Sequence, residues 1–207
     1  MVRLAGVQAP KIPLGKKQWL LADKAGDLLS DLVLNRRVSL YFGGQRRDRY
    51  GRKPAHIFRE DGLWIQGEML KAGLARVQTS PDNRAFAAEM TTLEQTARRK
   101  SLGIWVMEYY RPKDHAIAGR HHDSFQIISG TVRDVTKIRT TYYLNFGDDW
   151  QSDFTIVIKP LPARKFIRAD VQPELYEGKK IEIRGWLKSL NGPMIEASHP
   201  EQITIIK

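Results

Sequence analysis

The chain contains no cysteine, which removes disulfide bonds and cysteine-ligated zinc from the ways it could be held together. With 207 residues and 42% hydrophobic content, it is long enough for one or two domains with cores of their own. Long apolar runs are missing too. Nothing approaches the roughly 18–20 consecutive apolar residues that a membrane-crossing helix needs. Acidic residues are few relative to basic ones, 23 against 34 for a net charge of +11, and the shortage is local. Through Lys113 there are 21 Lys and Arg against 11 Asp and Glu; from Asp114 onward there are 13 against 12. Charge kept only for solubility would be spread over both halves. A basic first half instead favours a polyanion surface, nucleic acid before anionic lipid.

The densest part of that excess is Gln45-Arg46-Arg47-Asp48-Arg49-Tyr50-Gly51-Arg52. It lies between two expected strands, Arg36–Phe42 and Pro54–Phe58, and reads as a hairpin loop. Gly43, Gly44 and Gly51 are expected to supply positive φ angles. Arginine forks match phosphate oxygens, although such a loop can also be a solvated tip.

Four stretches in order resemble the thermonuclease (staphylococcal-nuclease-like) family. They are Val2-Arg3-Leu4-Ala5-Gly6-Val7-Gln8-Ala9-Pro10, Asp48-Arg49-Tyr50-Gly51-Arg52, Gly67–Val77, and Ser101-Leu102-Gly103-Ile104-Trp105. The resemblance covers residues 1 to about 105. It implies an OB barrel packed by helices and a calcium-dependent phosphodiesterase of DNA and RNA. It also implies that Arg3 and Arg52 are the active-site arginines, neutralising charge on the phosphoryl oxygens. Arg46, Arg47, Arg49 and Tyr50 are then the candidates for nucleic-acid binding.

The same resemblance exposes departures. The family's metal Asp and its general-base Glu fall on Gln8 and Lys11. The other metal Asp belongs to a strand pair that would precede Met1, and the tyrosines that cradle the nucleotide have no counterpart in Arg76–Pro81. A hard cation wants carboxylate oxygens, and an ammonium is no base at neutral pH. No metal site is therefore expected in this form, with Ca2+ required if family activity is retained. The barrel is expected to lack its first strands, which suggests a shortened or mis-started chain with an exposed edge. No signal segment precedes Arg3. Exported relatives carry one upstream, so the location stays unknown, with export expected if the native N-terminus extends further.

Further pattern reading gives a strand over Met1–Val7 and a helix over about 16–34 with Trp19, Ala25, Leu28 and Leu32 inward. A short helix spans Gln66–Ala72, ending at Gly73. A longer one spans Asn83–Lys100, with Phe86, Met90, Leu93 and Ala97 buried and Arg98-Arg99-Lys100 favouring its C-terminal dipole. Residues 106–124 read as a connector, and His121-His122-Asp123 as surface charge rather than a metal site.

From 125 to 207 the pattern turns to strands: Phe125–Val135 with a glycine bend, Thr141–Gly147, Phe154–Ile158, Lys180–Leu187 and Pro193–Ala197, then Pro200–Ile206. A helix is expected near 162–169, and the Asn191-Gly192 hairpin signal is expected to pair Lys180–Leu187 with Pro193–Ala197. A helix between the third and fourth strands is the order of an OB barrel. This half resembles small OB domains appended to bacterial thermonuclease-like proteins, in Tyr143–Gly147 and His199–Ile203. Tyr142, Trp150 and Trp186 are candidates for base stacking; Trp150 is expected to close the barrel end, and alternation makes at least some of Tyr143, Phe146 and Phe154 core.

The expected fold is thus a β-barrel protein with helices (α+β). It comprises a nuclease-like OB barrel over 1–105 with its first strands missing, a connector over 106–124, and a five-stranded OB-like barrel over 125–207. Three functions remain open. The first is nucleic-acid binding with impaired or lost cleavage. The second is an active nuclease, either with a metal Asp restored by an upstream segment or with a diverged mechanism whose oxygen ligands come from Asp48 or Glu68. The third is a scaffold that docks protein partners through its exposed barrel edge.

Overall fold

The computed structural model describes residues 1–10, 21–44, 46–48, 50–149, 151–189 and 191–206. These divide into two compact units, Met1–Tyr109 and Tyr110–Lys207.

The first unit runs β1 (Val2–Leu4), β2 (Val7–Gln8), α1 (Ala22–Val33), β3 (Val38–Tyr41), β4 (Lys53–Arg59), α2 (Ile65–Lys71), β5 (Arg76–Val77) and α3 (Ala87–Arg99). The expected single strand over Met1–Val7 is two strands. Gly6 turns the chain between them at φ +73°, where a Cβ would come within 2.6 Å of the Met90 side chain. The two strands then join different sheets. β1 lies parallel to β4, which pairs antiparallel with β3, while β2 pairs antiparallel with β5.

The helices close the core. Ala25 of α1 is buried and Leu28, Leu29 and Leu32 pack beside it, against Met69, Leu70, Val77 and Met90; Trp19 and Lys11 lie outside the described residues. Gly73 ends the α2 turn in the left-handed region, φ +66°. Gln66 is buried on α2, with Nε2 donating to Ala55 O at 2.8 Å and Oε1 accepting from Ile57 N at 3.1 Å. It thus satisfies β4 backbone groups and fixes the helix to the strand.

The third helix starts later than its sequence pattern suggests. Ser80 and Asn83 form a small bridge first, and Phe86 caps α3 with φ 58°. That geometry leaves Phe86 40% exposed rather than buried, against the rings of His56 and Trp64 at 5.0 and 5.1 Å.

The second unit runs β6 (Lys113–Asp114), a 3-10 segment His115–His121, β7 (Phe125–Thr131), β8 (Asp134–Ile138), β9 (Thr141–Asn145), β10 (Thr155–Ile158), α4 (Pro160–Arg168), β11 (Lys180–Trp186), β12 (Lys188–Ser189), β13 (Pro193–Glu196) and β14 (Ile203–Ile205). One sheet has the order β12-β13-β10-β9-β8 and the other β14-β11-β7-β6. Ile128, Leu144, Phe154, Ile156, Phe166 and Ile183 form a continuous core. Mixed α+β architecture is what the sequence implied, as is the helix between the third and fourth expected strands.

Two details differ. The strand expected over Phe125–Val135 breaks at Val132-Arg133, not at its glycine, so β7 and β8 enter separate sheets. The Asn191-Gly192 turn joins β12 to β13, whereas β11 pairs with β7 and β14. Both arise where one sheet hands the chain to the other, a long-range demand that local alternation does not report.

Candidate nucleic-acid interface

The β3–β4 connection is organised by one carboxylate. Oδ1 of Asp48 accepts from the amides of Tyr50 at 2.9 Å and Arg52 at 3.0 Å. The Asp48 amide donates to Arg52 O at 2.8 Å, and Gly51 at φ +74° donates to Asp48 O at 2.9 Å. An Asp that folds its own loop this way forms an Asx-type turn. Of the three glycines expected at positive φ, Gly44 and Gly51 have it and Gly43 does not. Gly44 is required for a second reason, since a Cβ there would lie 1.8 Å from Asp82 O.

The other Asp48 oxygen gathers guanidinium groups. Nε and Nη2 of Arg52 both lie 2.8 Å from Oδ2, and Nη1 of Arg3 lies 3.9 Å from it. Arg3 arrives through backbone register: parallel pairing sets Val2 opposite Lys53 and Arg3 opposite Pro54, directly after the loop. Tyr50 is 66% exposed, and the Arg52 guanidinium sits 5.0 Å from its ring centroid, a cation–π distance. Arg46 and Arg47 project from the loop into solvent, with Arg47 Nη1 donating to Gly51 O at 3.4 Å. Arg49 lies outside the described residues. The structure therefore brings Arg3, Asp48, Tyr50 and Arg52 together, with Arg46 and Arg47 beside them on the same loop.

Desolvation is the largest influence on the Asp48 carboxyl and works to raise its pKa. The Arg52 side-chain hydrogen bond, the two loop amides and the Arg52 charge outweigh it, holding the group below the ordinary carboxylate range. The loop thus presents arginines oriented by an ionised aspartate.

Gln8 occupies a different setting. It pairs with Arg76 across β2 and β5, and its Oε1 accepts from Arg76 Nε at 2.7 Å. Arg76 is 2% exposed, and its guanidinium lies 5.9 Å from the Tyr109 ring centroid. Sequence reasoning passed over Arg76 because its neighbours Ala75 and Val77 make an ordinary short strand. It also passed over Glu94, which is wholly buried on α3 and accepts from Val77 N at 2.5 Å. Arg98, expected only as a dipole residue, lies 3.9 Å from that carboxylate and 5.5 Å from the Trp105 ring centroid. A readable signal did exist for Glu94: it is a charge four residues after Met90, on the apolar stripe.

Residues 1–107 match the family described as staphylococcal nuclease homologue. The chain belongs to that family. Among curated relatives, the "Probable endonuclease lcl3" of Botryotinia fuckeliana is 32% identical over 127 residues, 55% of this chain and 46% of that protein. The counterpart from Ajellomyces dermatitidis is 37% identical over 101 residues, 44% of this chain and 31% of its own length. The "Thermonuclease" of Staphylococcus intermedius is 29% identical over 112 residues, covering 50% and 62% respectively. This chain thus spans less than half of the two fungal relatives.

Among the described residues of this staphylococcal nuclease homologue, the oxygens that could meet a calcium ion already have partners. A cation bound to Gln8 Oε1 at the usual ~2.3–2.6 Å would come within about 5 Å of the Arg76 guanidinium. Asp48 is committed to its loop, and Glu68 Oε1 takes Lys71 Nζ at 2.7 Å. No group of three or more His, Cys, Asp or Glu among the described residues is arranged to hold a metal.

In the second unit, the base-stacking candidates separate. Tyr142 is 4% exposed, because alternation along β9 turns Tyr142 and Leu144 inward and Tyr143 outward. Its ring faces Lys137 Nζ at 4.8 Å, so it offers no platform. Phe146 and Phe154 are core, their centroids 5.0 Å apart. Trp186 is 49% exposed. Trp150 lies outside the described residues.

No described helix is long and apolar enough to cross a membrane.

Proposed function

We propose that this chain binds DNA or RNA through Arg3, Arg46, Arg47, Arg49, Tyr50 and Arg52, with calcium-dependent cleavage impaired or lost. The observation that carries this reading is the Asp48 cluster. It holds two arginines and a solvent-facing tyrosine in one place, as phosphate and base contacts require, while the oxygen at position 8 is given to a guanidinium. Residues 1–105 would be the binding module. Residues 125–207 would be an appended OB-like domain of the bacterial type, with Trp186 its one described exposed stacking candidate.

Incubating labelled single- and double-stranded DNA with the full chain, in calcium and in chelator, tests the reading. Binding without calcium-dependent cleavage is expected. Calcium-dependent turnover that disappears in Arg52→Ala would establish the divergent nuclease instead.

A scaffold reading has one observation in its favour. β3 is an outer strand of its sheet, and Val38, Leu40, Tyr41 and the adjacent Phe42 are 37–58% exposed, the composition of an edge that accepts a partner strand. Protein capture unaffected by nuclease treatment and by Arg52→Ala would favour it.

A further inference from the structure

From Asp114 onward the chain is nearly balanced in charge, with 13 Lys and Arg against 12 Asp and Glu. Four of those cations nevertheless fall within residues 159–168, and no acidic residue does. That segment is α4 with its N-cap. We propose that the solvent face of α4 docks on an anionic lipid surface, a role separate from the nucleic-acid reading above.

Helix geometry sets the face. Ala163 and Phe166 turn into the core of the second unit, which fixes the helix before any partner arrives. Leu161, Arg164, Lys165 and Arg168, spaced i, i+3, i+4 and i+7, share the opposite stripe. Leu161 is 71% exposed, and Ile167 beside the stripe is 47% exposed. Lys159 is engaged, its Nζ donating to Glu196 Oε1 at 2.9 Å. The side chains of Arg164, Lys165 and Arg168 have no ion pair or hydrogen bond among the described residues.

The mixture selects the partner. Three unpaired cations favour any polyanion. The uncharged exposed members of the face are aliphatic, and Phe166, the one aromatic of the helix, is buried. Nucleic-acid bases would therefore find nothing to stack on. Leucine and isoleucine gain instead from the hydrocarbon edge of a bilayer, while arginine and lysine stems reach back to the headgroups. Each cation near an anionic leaflet tightens binding roughly fivefold, so three give about 100-fold. With only two aliphatic side chains to insert, the attachment is reversible.

The chain has no cysteine, so Leu161→Cys gives a single attachment point for an environment-sensitive fluorophore on the full chain. The partners offered are vesicles of phosphatidylcholine alone, vesicles with about one-third phosphatidylserine, oligothymidylate and polyglutamate. A blue shift is expected with the anionic vesicles only, and raising the salt should reverse it. The shift should survive in an Arg46→Ala/Arg47→Ala background, which removes the pull of that loop on anionic lipid. In the same background, adding Arg164→Gln/Lys165→Gln/Arg168→Gln should weaken vesicle affinity by about 100-fold. All these side chains lie on the solvent stripe, so circular dichroism should show the fold unchanged.

No shift with anionic vesicles, an equal shift with neutral ones, or an affinity untouched by the triple glutamine substitution would overturn the proposal. A shift with oligothymidylate or polyglutamate but not with vesicles would overturn it too, assigning the face to a nucleic acid or an acidic chain.

Discussion

Asp48 and Arg52 form a two-way clasp. The carboxylate takes Nε and Nη2 of Arg52 on one oxygen and the Arg52 amide on the other. The Asp48 amide in turn donates to Arg52 O. The loop is closed between Asp48 and Arg52, and the same carboxylate faces Arg3 on β1. A negative charge is therefore kept inside a surface expected to attract polyanions.

That arrangement sets two expectations against each other for Asp48→Asn. Long-range electrostatics alone predicts tighter oligonucleotide binding, because a negative charge is removed. Positioning predicts weaker binding, by about 3- to 10-fold, since the arginines lose their charged acceptor. We expect the weaker binding, measured by anisotropy at fixed salt. Because the Asp48 pKa is lowered in the folded chain, its contribution is present above the unfolded carboxylate pKa and lost as pH falls through the folded value.

His56 should make the first unit acid-sensitive. It is 3% exposed, lies against Trp64 and Phe86, and neither ring nitrogen has a hydrogen-bond partner among the described residues. Burial lowers its pKa below the ordinary 6.5. The unfolded chain thus binds a proton at higher pH than the folded one, and stability falls as pH drops through 6.5 toward the folded value. The thermal midpoint should decline between neutral pH and about pH 5. His56→Leu should flatten that part of the curve; an unchanged slope would assign it to other groups.

Glu94 is expected to be structural. Glu94→Ala strands the buried Val77 amide and should lower unfolding free energy by about 1–3 kcal/mol. Glu94→Gln keeps an acceptor and should lower it less. Denaturant titration of both variants distinguishes a lost hydrogen bond from a lost charge, since equal losses would point to charge.

In the second unit, Gly130→Ala should be poorly tolerated. A Cβ there would lie 2.5 Å from the His115 ring and 2.7 Å from Phe146. Overpacking of this kind is typically unfavourable by about 1–3 kcal/mol, readable as a lower denaturation midpoint.

Much of the fold was legible because its signals are local. The α2 stop at Gly73, the β3–β4 hairpin and the helix after β10 follow from periodicity and from residues with special backbone freedom. What failed depended on distant partners. Gly6 turns because Met90 lies against it, Tyr142 faces inward because β9 fits one parity against its core, and β12 leaves β11 to meet β13. The candidate site divides the same way. The Arg46–Arg52 loop could be read directly, and the exchange of carboxylate for Gln8 was visible by resemblance. Arg76 was not, because its meaning comes only from the strand facing it across 68 residues of chain.

The most direct test of the account is the salt dependence of oligonucleotide affinity for wild type and for Arg46→Ala/Arg47→Ala/Arg52→Ala. If this loop contacts phosphates, wild-type affinity should fall steeply with salt, and the triple variant should lose about 2 units of log–log slope, near 0.7 for each single-strand contact. A shallow slope shared by both proteins would contradict the claim that this surface holds nucleic acid.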